Sequence, residues 1–194
     1  DERAARVKSA SPDGTVRDHP FMQPGEGAAR IDWVLSRDGK RLAWTETFRD
    51  ASGQLSTTTH TANADGTDRR TVFTDGPRAD GLRVLPVSFS ADAARLYMDY
   101  QPDGLTDLTA FPQYAGLFAL NLEDGTTDFL PDEPGDFTGA AFGAGYFIRL
   151  ALTDDGTAFD VRVFNLDKGY DASIPAERRS GFTQAGSIVI APNG

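Results

Sequence analysis

The sequence predicts an all-β chain built from repeated sheets of four antiparallel strands. Three observations carry that reading. Short apolar runs alternate with period two, as half-buried strands require. Two kinds of tight turn interleave along the whole length. No helical stretch of useful length competes with the strands. The clearest unit is Trp33 to Trp44, two apolar runs joined by Arg37-Asp38-Gly39. Asp-Gly between alternating apolar residues is a strong hairpin signal.

Turns of the first kind sit at Arg37-Asp38-Gly39, Ala91-Asp92-Ala93, Gly143-Ala144-Gly145 and Pro192-Asn193-Gly194. Their spacing is about 50 residues, within the range of propeller-type arrays. Turns of the second kind, at Pro12-Asp13-Gly14, Asp65-Gly66, Asp124-Gly125 and Lys168-Gly169, fall once between each successive pair of the first.

The segments around these turns align. Arg41-Leu42-Ala43-Trp44, Arg95-Leu96-Tyr97-Met98 and Phe147-Ile148-Arg149-Leu150 follow the first turn. Asn121-Leu122-Glu123-Asp124-Gly125 matches Asn165-Leu166-Asp167-Lys168-Gly169, and Asn63-Ala64-Asp65-Gly66 is one residue shorter. Thr71-Val72-Phe73, Asp128-Phe129-Leu130 and Ala172-Ser173-Ile174 supply the last strand of each unit. Each repeat therefore reads a, tight turn, b, variable loop, c, tight turn, d. That is the pattern of a β-propeller blade. A β-sandwich is the alternative, but it does not demand even spacing of two interleaved turns.

The segments Ser36-Arg37-Asp38-Gly39-Lys40-Arg41-Leu42-Ala43-Trp44 and Asn63-Ala64-Asp65-Gly66-Thr67-Asp68-Arg69-Arg70 resemble the TolB-like, or PD40 (WD40-like), propeller repeat. The second copy, Ser90-Ala91-Asp92-Ala93, lacks the turn glycine, and the third, Phe142-Gly143-Ala144-Gly145, lacks the acid. The resemblance implies a fold, because these residues make turns and core. It also implies a non-catalytic binding role, as in TolB-like propellers.

The expected organisation is residues 1–29 as the last strands of a preceding blade plus a connecting loop, then blades at 30–83, 84–137 and 138–186. Residues 187–194 would open a following blade with Ser187-Ile188-Val189-Ile190. A small ring closed by the two ends would leave its shared blade without strand b. Unpaired edges are avoided in natural sheets, so a larger ring of roughly six to eight blades is expected.

The chain has 194 residues, 39% of them hydrophobic and 13 of them Phe, enough to bury a core. Its net charge of −10 argues against nucleic acid as a partner. No apolar run approaches a membrane span. The absence of cysteine excludes disulfides, thiolate metal sites and cysteine nucleophiles. An acidic, Thr-, Asp- and Gly-rich, cysteine-free composition is that of an exported protein, periplasmic or extracellular. Asp1-Glu2-Arg3 forms no targeting signal, so such a segment is expected upstream or already removed.

No catalytic constellation is recognisable. Of the two histidines, His19 precedes a proline in a connecting loop and His60 reads as a plain strand residue. There is no G-x-S-x-G elbow, and neither a cofactor nor a metal is implied. Asn63-x-Asp65-Gly66-x-Asp68 superficially resembles an EF-hand start, but the glutamate expected at the twelfth position is missing, so it reads as a turn.

Blade geometry puts the a–b and c–d turns at one end of each sheet, and the b–c and d–a loops at the other. Long irregular loops on a rigid scaffold are where binding resides. The expected binding face is thus built from the b–c loops 47–57 and 101–115 and the d–a loops 18–29, 75–84, 131–138 and 175–186. The third b–c connection, Asp154-Asp155-Gly156, reads as a tight hairpin. In loop 101–115, Leu105, Leu108, Phe111 and Tyr114 recur at spacing three, compatible with a helical turn before Pro112. Phe111 and Tyr114 of this lid or docking loop are expected to anchor a partner, as are two aromatic–charge combinations, Phe48 with Arg49 and Asp50, and Arg178 and Arg179 with Phe182. The partner class is another protein or a surface glycan. The alternative function is a propeller that gates a hydrolase resembling the prolyl oligopeptidase family.

Overall fold

The computed structural model describes residues 8–103, 116–130, 137–143, 145–152, 159–166 and 168–176. Strands β1 (Lys8–Ala10) and β2 (Val16–Asp18) form a two-stranded ribbon. The first four-stranded sheet is β3 (Ala28–Leu35), β4 (Arg41–Arg49), β5 (Leu55–Asn63) and β6 (Arg70–Arg78). The second is β7 (Leu82–Phe89), β8 (Arg95–Pro102), β9 (Phe118–Asn121) and β10 (Thr127–Phe129). The third is β11 (Phe137–Gly143), β12 (Tyr146–Leu152), β13 (Phe159–Asn165) and β14 (Tyr170–Ala176). Every sheet is an antiparallel meander in sequence order, and no helix occurs among the described residues. Four antiparallel strands per repeat is the blade of a β-propeller.

The turn chemistry explains the regularity. In the first a–b turn, the Asp38 carboxylate accepts from Ser36 Oγ at 2.7 Å and from the Lys40 amide at 3.0 Å. Asp92 does the same with Ser90 Oγ at 2.6 Å and the Ala94 amide at 2.9 Å. At the c–d turns, Asp65 accepts from the Thr67 amide and hydroxyl, and Asp124 from those of Thr126. The run resembling an EF-hand start is thus a turn whose carboxylate is used locally. Gly39 takes φ 70° in the first a–b turn, and Ala93 takes φ 57° at the equivalent place in the second. The missing glycine changes the residue but not the backbone path, at a cost of about 1–2 kcal/mol for a left-handed alanine.

Two loops expected from the sequence are shorter than expected. The strand β6 runs to Arg78, so the d–a loop 75–84 contracts to residues 79–81. Gly76-Pro77 forms a bulge on this edge strand, where proline is tolerated. Gly76 has φ 99°, and a Cβ there would lie 2.5 Å from the Leu55 carbonyl oxygen, so only glycine fits. Likewise the b–c loop 47–57 contracts to residues 50–54, between β4 and β5. Most of loop 101–115 and the connections 131–136, 153–158 and 177–186, together with the Ser187–Ile190 strand and the last turn, lie outside the described residues.

The core lies between and beside the sheets. Strand β4 is covered on both faces. Its Leu42 and Trp44 face residues 21–22 and form a cluster with Met22 and Ala62, with Phe21 and Ile31 packed against it. Its opposite face carries Ala43, Thr45 and Thr47, continued on β5 by Thr57, Thr59 and Thr61, all buried. Ala43 joins Val84, Phe89, Leu96, Met98, Phe118, Leu120 and Leu122 of the second sheet in one apolar cluster. A smaller cluster of Leu117, Phe147 and Phe164 joins the second sheet to the third. Burial of such side chains contributes roughly 1.5–3 kcal/mol each. No helix among the described residues is long and apolar enough to cross a membrane.

Candidate functional site

At the loop end of the first two sheets, charges that are far apart in sequence come together. Arg83, the second residue of β7, is only 3% exposed. A buried guanidinium requires partners, and it has two. Its NH1 donates to Asp32 of β3, and its Nε lies 3.7 Å from Asp103. Asp103, just past β8, also accepts from Arg49 NH2 at the end of β4. Asp32 in turn accepts from Arg30 Nε at 3.2 Å. The chain Arg30–Asp32–Arg83–Asp103–Arg49 therefore runs across both sheets, with a buried cation at its centre and half-exposed guanidinium groups at its two ends.

A second group flanks it. Arg78 donates to Asp80 and, from NH1, to Asp75 at 3.4 Å, and its guanidinium lies 4.7 Å from the centre of the Tyr100 ring. Its hydrogen bonds hold Arg78 protonated, and the same contact holds the Asp80 carboxyl below its ordinary range. Burial raises the Tyr100 phenol above its usual value, with Asp75 adding to the effect.

Three sequence-predicted anchors fall within the described residues. Arg49 belongs to the charge chain and also donates to the Gly53 carbonyl at 3.3 Å. Its neighbour Asp50 closes the b–c connection, accepting from the Ser52 and Gln54 amides at 2.8 and 2.9 Å and from Ser52 Oγ at 2.7 Å. These bonds lower its carboxyl pKa, the Ser52 hydroxyl most. Phe48 is half-buried, with its ring about Gly25 of the 19–27 connection. Phe111, Tyr114, Arg178, Arg179 and Phe182 lie outside the described residues. Asp32, Arg83 and Asp103 were not singled out from the sequence. The available signal was a charge inside an apolar strand run, as in Ile31-Asp32-Trp33 and Leu82-Arg83-Val84.

Beneath the 19–27 connection sits Glu46, nearly fully buried. Its carboxylate accepts from Trp44 Nε1 at 3.3 Å and from the Gly25 amide at 3.2 Å, and lies 4.0 Å from His60 Nε2. Burial lowers the His60 pKa, against the opposing pull of Glu46. His60 stands in β5 with its ring 5.2 Å from that of Trp44, so it is a strand residue holding a packed connection.

Chemically, the loop end offers donors and matched charges. Its Asp32, Asp80 and Asp103 carboxylates are paired with arginines. Among the described residues, no group of three His, Cys, Asp or Glu side chains could hold a metal ion.

No protein-family model matches the chain, and no curated protein matches its sequence. Solved structures resemble its fold. The chain is similar to TolB from Acinetobacter baumannii at 13% identity and TM-score 0.46, over 84% of this chain and 36% of that one. It is similar to the β-propeller domain of the Trilobed protease from Pyrococcus furiosus at 12% identity and TM-score 0.45, over 76% of this chain and 43% of that one. A third likeness is to an acylaminoacyl peptidase from Pyrococcus horikoshii, at 12% identity and TM-score 0.45, over 88% of this chain and 30% of that one. The chain thus spans less than half the length of each of these proteins. The blade fold itself is established by the strand order and registers of the three sheets.

Proposed function

We propose that this chain is a non-catalytic, exported propeller module that binds another protein or a surface glycan through the loop end of its sheets. The observation that carries the reading is the five-residue charge chain. Its buried centre, Arg83, makes the loop end rigid, while Arg30 and Arg49 keep partly exposed guanidinium groups. A preorganised donor surface loses little entropy on binding. The acidic, cysteine-free composition supports export. The same face would serve a propeller that gates a hydrolase domain, and detection of a G-x-S-x-G segment in a longer form of the protein would favour that reading.

The test is affinity capture from an extract of the source cells, with Arg49→Ala at the loop end, Tyr114→Ala in loop 101–115, which the sequence assigns to the same face, and Lys40→Glu at the turn end. The expected result is one partner retained by wild type and Lys40→Glu and lost by both loop-end variants, at unchanged melting temperature. A partner lost with Lys40→Glu alone would overturn the proposal.

A further inference from the structure

The opposite end of the first two sheets carries a cleft that the loop-end reading does not use. We propose that this cleft is a separate binding site for small oxyanions, with carboxylate or phosphate groups as the recognised chemistry. It has a volume of about 550 Å³ and lies between the sheets. That is within the roughly 300–1,000 Å³ of small-molecule sites.

Its lining runs against the charge of the chain. The protein carries a net −10, yet Arg41, Arg70 and Arg95 all line this cleft. Among the described residues none of the three forms an ion pair, whereas the loop-end Arg30, Arg49, Arg78 and Arg83 all do. Arg41 opens β4, and its NH1 donates to the Ala93 carbonyl in the turn of the second sheet at 2.8 Å. That bond fixes the guanidinium at the cleft while leaving its other N–H groups for a ligand. Arg95 occupies the equivalent first position of β8, and Arg70 opens β6. The third sheet has Tyr146 at the matching place, opposite Asn165 as Arg41 is opposite Asn63 and Arg95 opposite Asn121, so the arginine pair belongs to this cleft.

The remaining polar groups fit the same ligand. Asn121 Oδ1 accepts from the Glu123 amide at 2.9 Å, which leaves its Nδ2 as the outward donor. Of the two acids in the lining, Asp92 has Oδ1 committed to Ser90 Oγ and the Ala94 amide. Glu123 is exposed at the rim. Three guanidinium forks and an amide facing one space match planar or tetrahedral oxyanions, which arginine binds bidentately. The volume accommodates an anion larger than a single ion.

The experiment is calorimetric titration of the whole chain at low salt with citrate and, separately, inorganic phosphate. The expected result is saturable one-to-one binding of at least one probe. Arg70→Ala with Arg95→Ala should weaken it by at least about tenfold, as removal of charge-assisted hydrogen bonds does. Both side chains are exposed, so folding should survive, and an unchanged melting temperature confirms it. Arg30→Ala at the loop end should bind as wild type. Tighter citrate assigns the site to carboxylates, and tighter phosphate to phosphorylated compounds. No saturable binding of either probe, or equal affinity in the double variant, would overturn the proposal.

Discussion

The two ends of the first two sheets treat charge in opposite ways. At the turn end, carboxylates fold back on their own chain: Asp38, Asp65, Asp92 and Asp124 each bond within two residues. At the loop end, Asp50 and Asp80 also bond locally, but two carboxylates reach across sheets, with Arg83 bonded to Asp32 and Arg49 to Asp103. The first arrangement makes each hairpin self-sufficient and leaves Arg41, Arg70 and Arg95 outside the ion pairs of the described residues. The second ties neighbouring blades together where the binding face is proposed. Local chemistry builds the repeat, and non-local chemistry builds the surface.

The contrast has graded consequences. Arg83→Ala should have the largest effect, about 3 kcal/mol of stability in urea denaturation, because it removes the buried cation shared by Asp32 and Asp103 and leaves each with a single half-exposed arginine. At the turn end, Ala93→Gly should stabilise by about 1 kcal/mol, since glycine adopts φ 57° freely. A decrease would mean the Ala93 side chain contributes more by packing than its backbone costs. Arg49→Ala, with its side chain 49% exposed, should cost well under 1 kcal/mol although it belongs to the same charge chain as Arg83.

The smallest effect is one of pH. The turn carboxyls of Asp65 and Asp124 are held below the ordinary value of 3.8, chiefly by the Thr67 and Thr126 hydroxyls. Their folded pKa lies below the unfolded one, so the stabilisation is full above that value. It is lost as pH falls through the folded pKa. Asp65→Asn with Asp124→Asn should therefore flatten the acid limb of a stability–pH curve below pH 3.8 and leave its neutral region unaltered in slope. An unchanged acid limb would show that these bonds do not survive in solution.

What could be read from the sequence follows the same division. The Trp33–Trp44 hairpin, the Ser-x-Asp turns and the strand alternation depend on residues close in the chain, so they were legible. In the structure Trp33 and Trp44 stand directly opposite each other across β3 and β4. They have different surroundings: Trp44 is buried under Phe21 and Met22, and Trp33 is 40% exposed. That difference arises from a connection folding back over one strand, which no local pattern announces. The extension of β6 through residues 75–78 depends on a bulge at Gly76-Pro77 that keeps the strand paired with β5, a feature of the sheet and not of the local sequence. Arg83 was hidden because its partner Asp32 is 51 residues away and on another sheet. The turn-end cleft was hidden because Arg41, Arg70 and Arg95 converge only through sheet packing. Of the expected anchors, Arg49 proved part of a charge chain, while Asp50 is occupied in closing its own loop.

The central claim is that cross-sheet charge pairing organises the loop end. A double-mutant cycle in urea with Arg83→Ala and Asp32→Asn measures it most directly. The account predicts a coupling of about 2 kcal/mol, within the range of contacting charged residues. Additive effects, with coupling near zero, would contradict it.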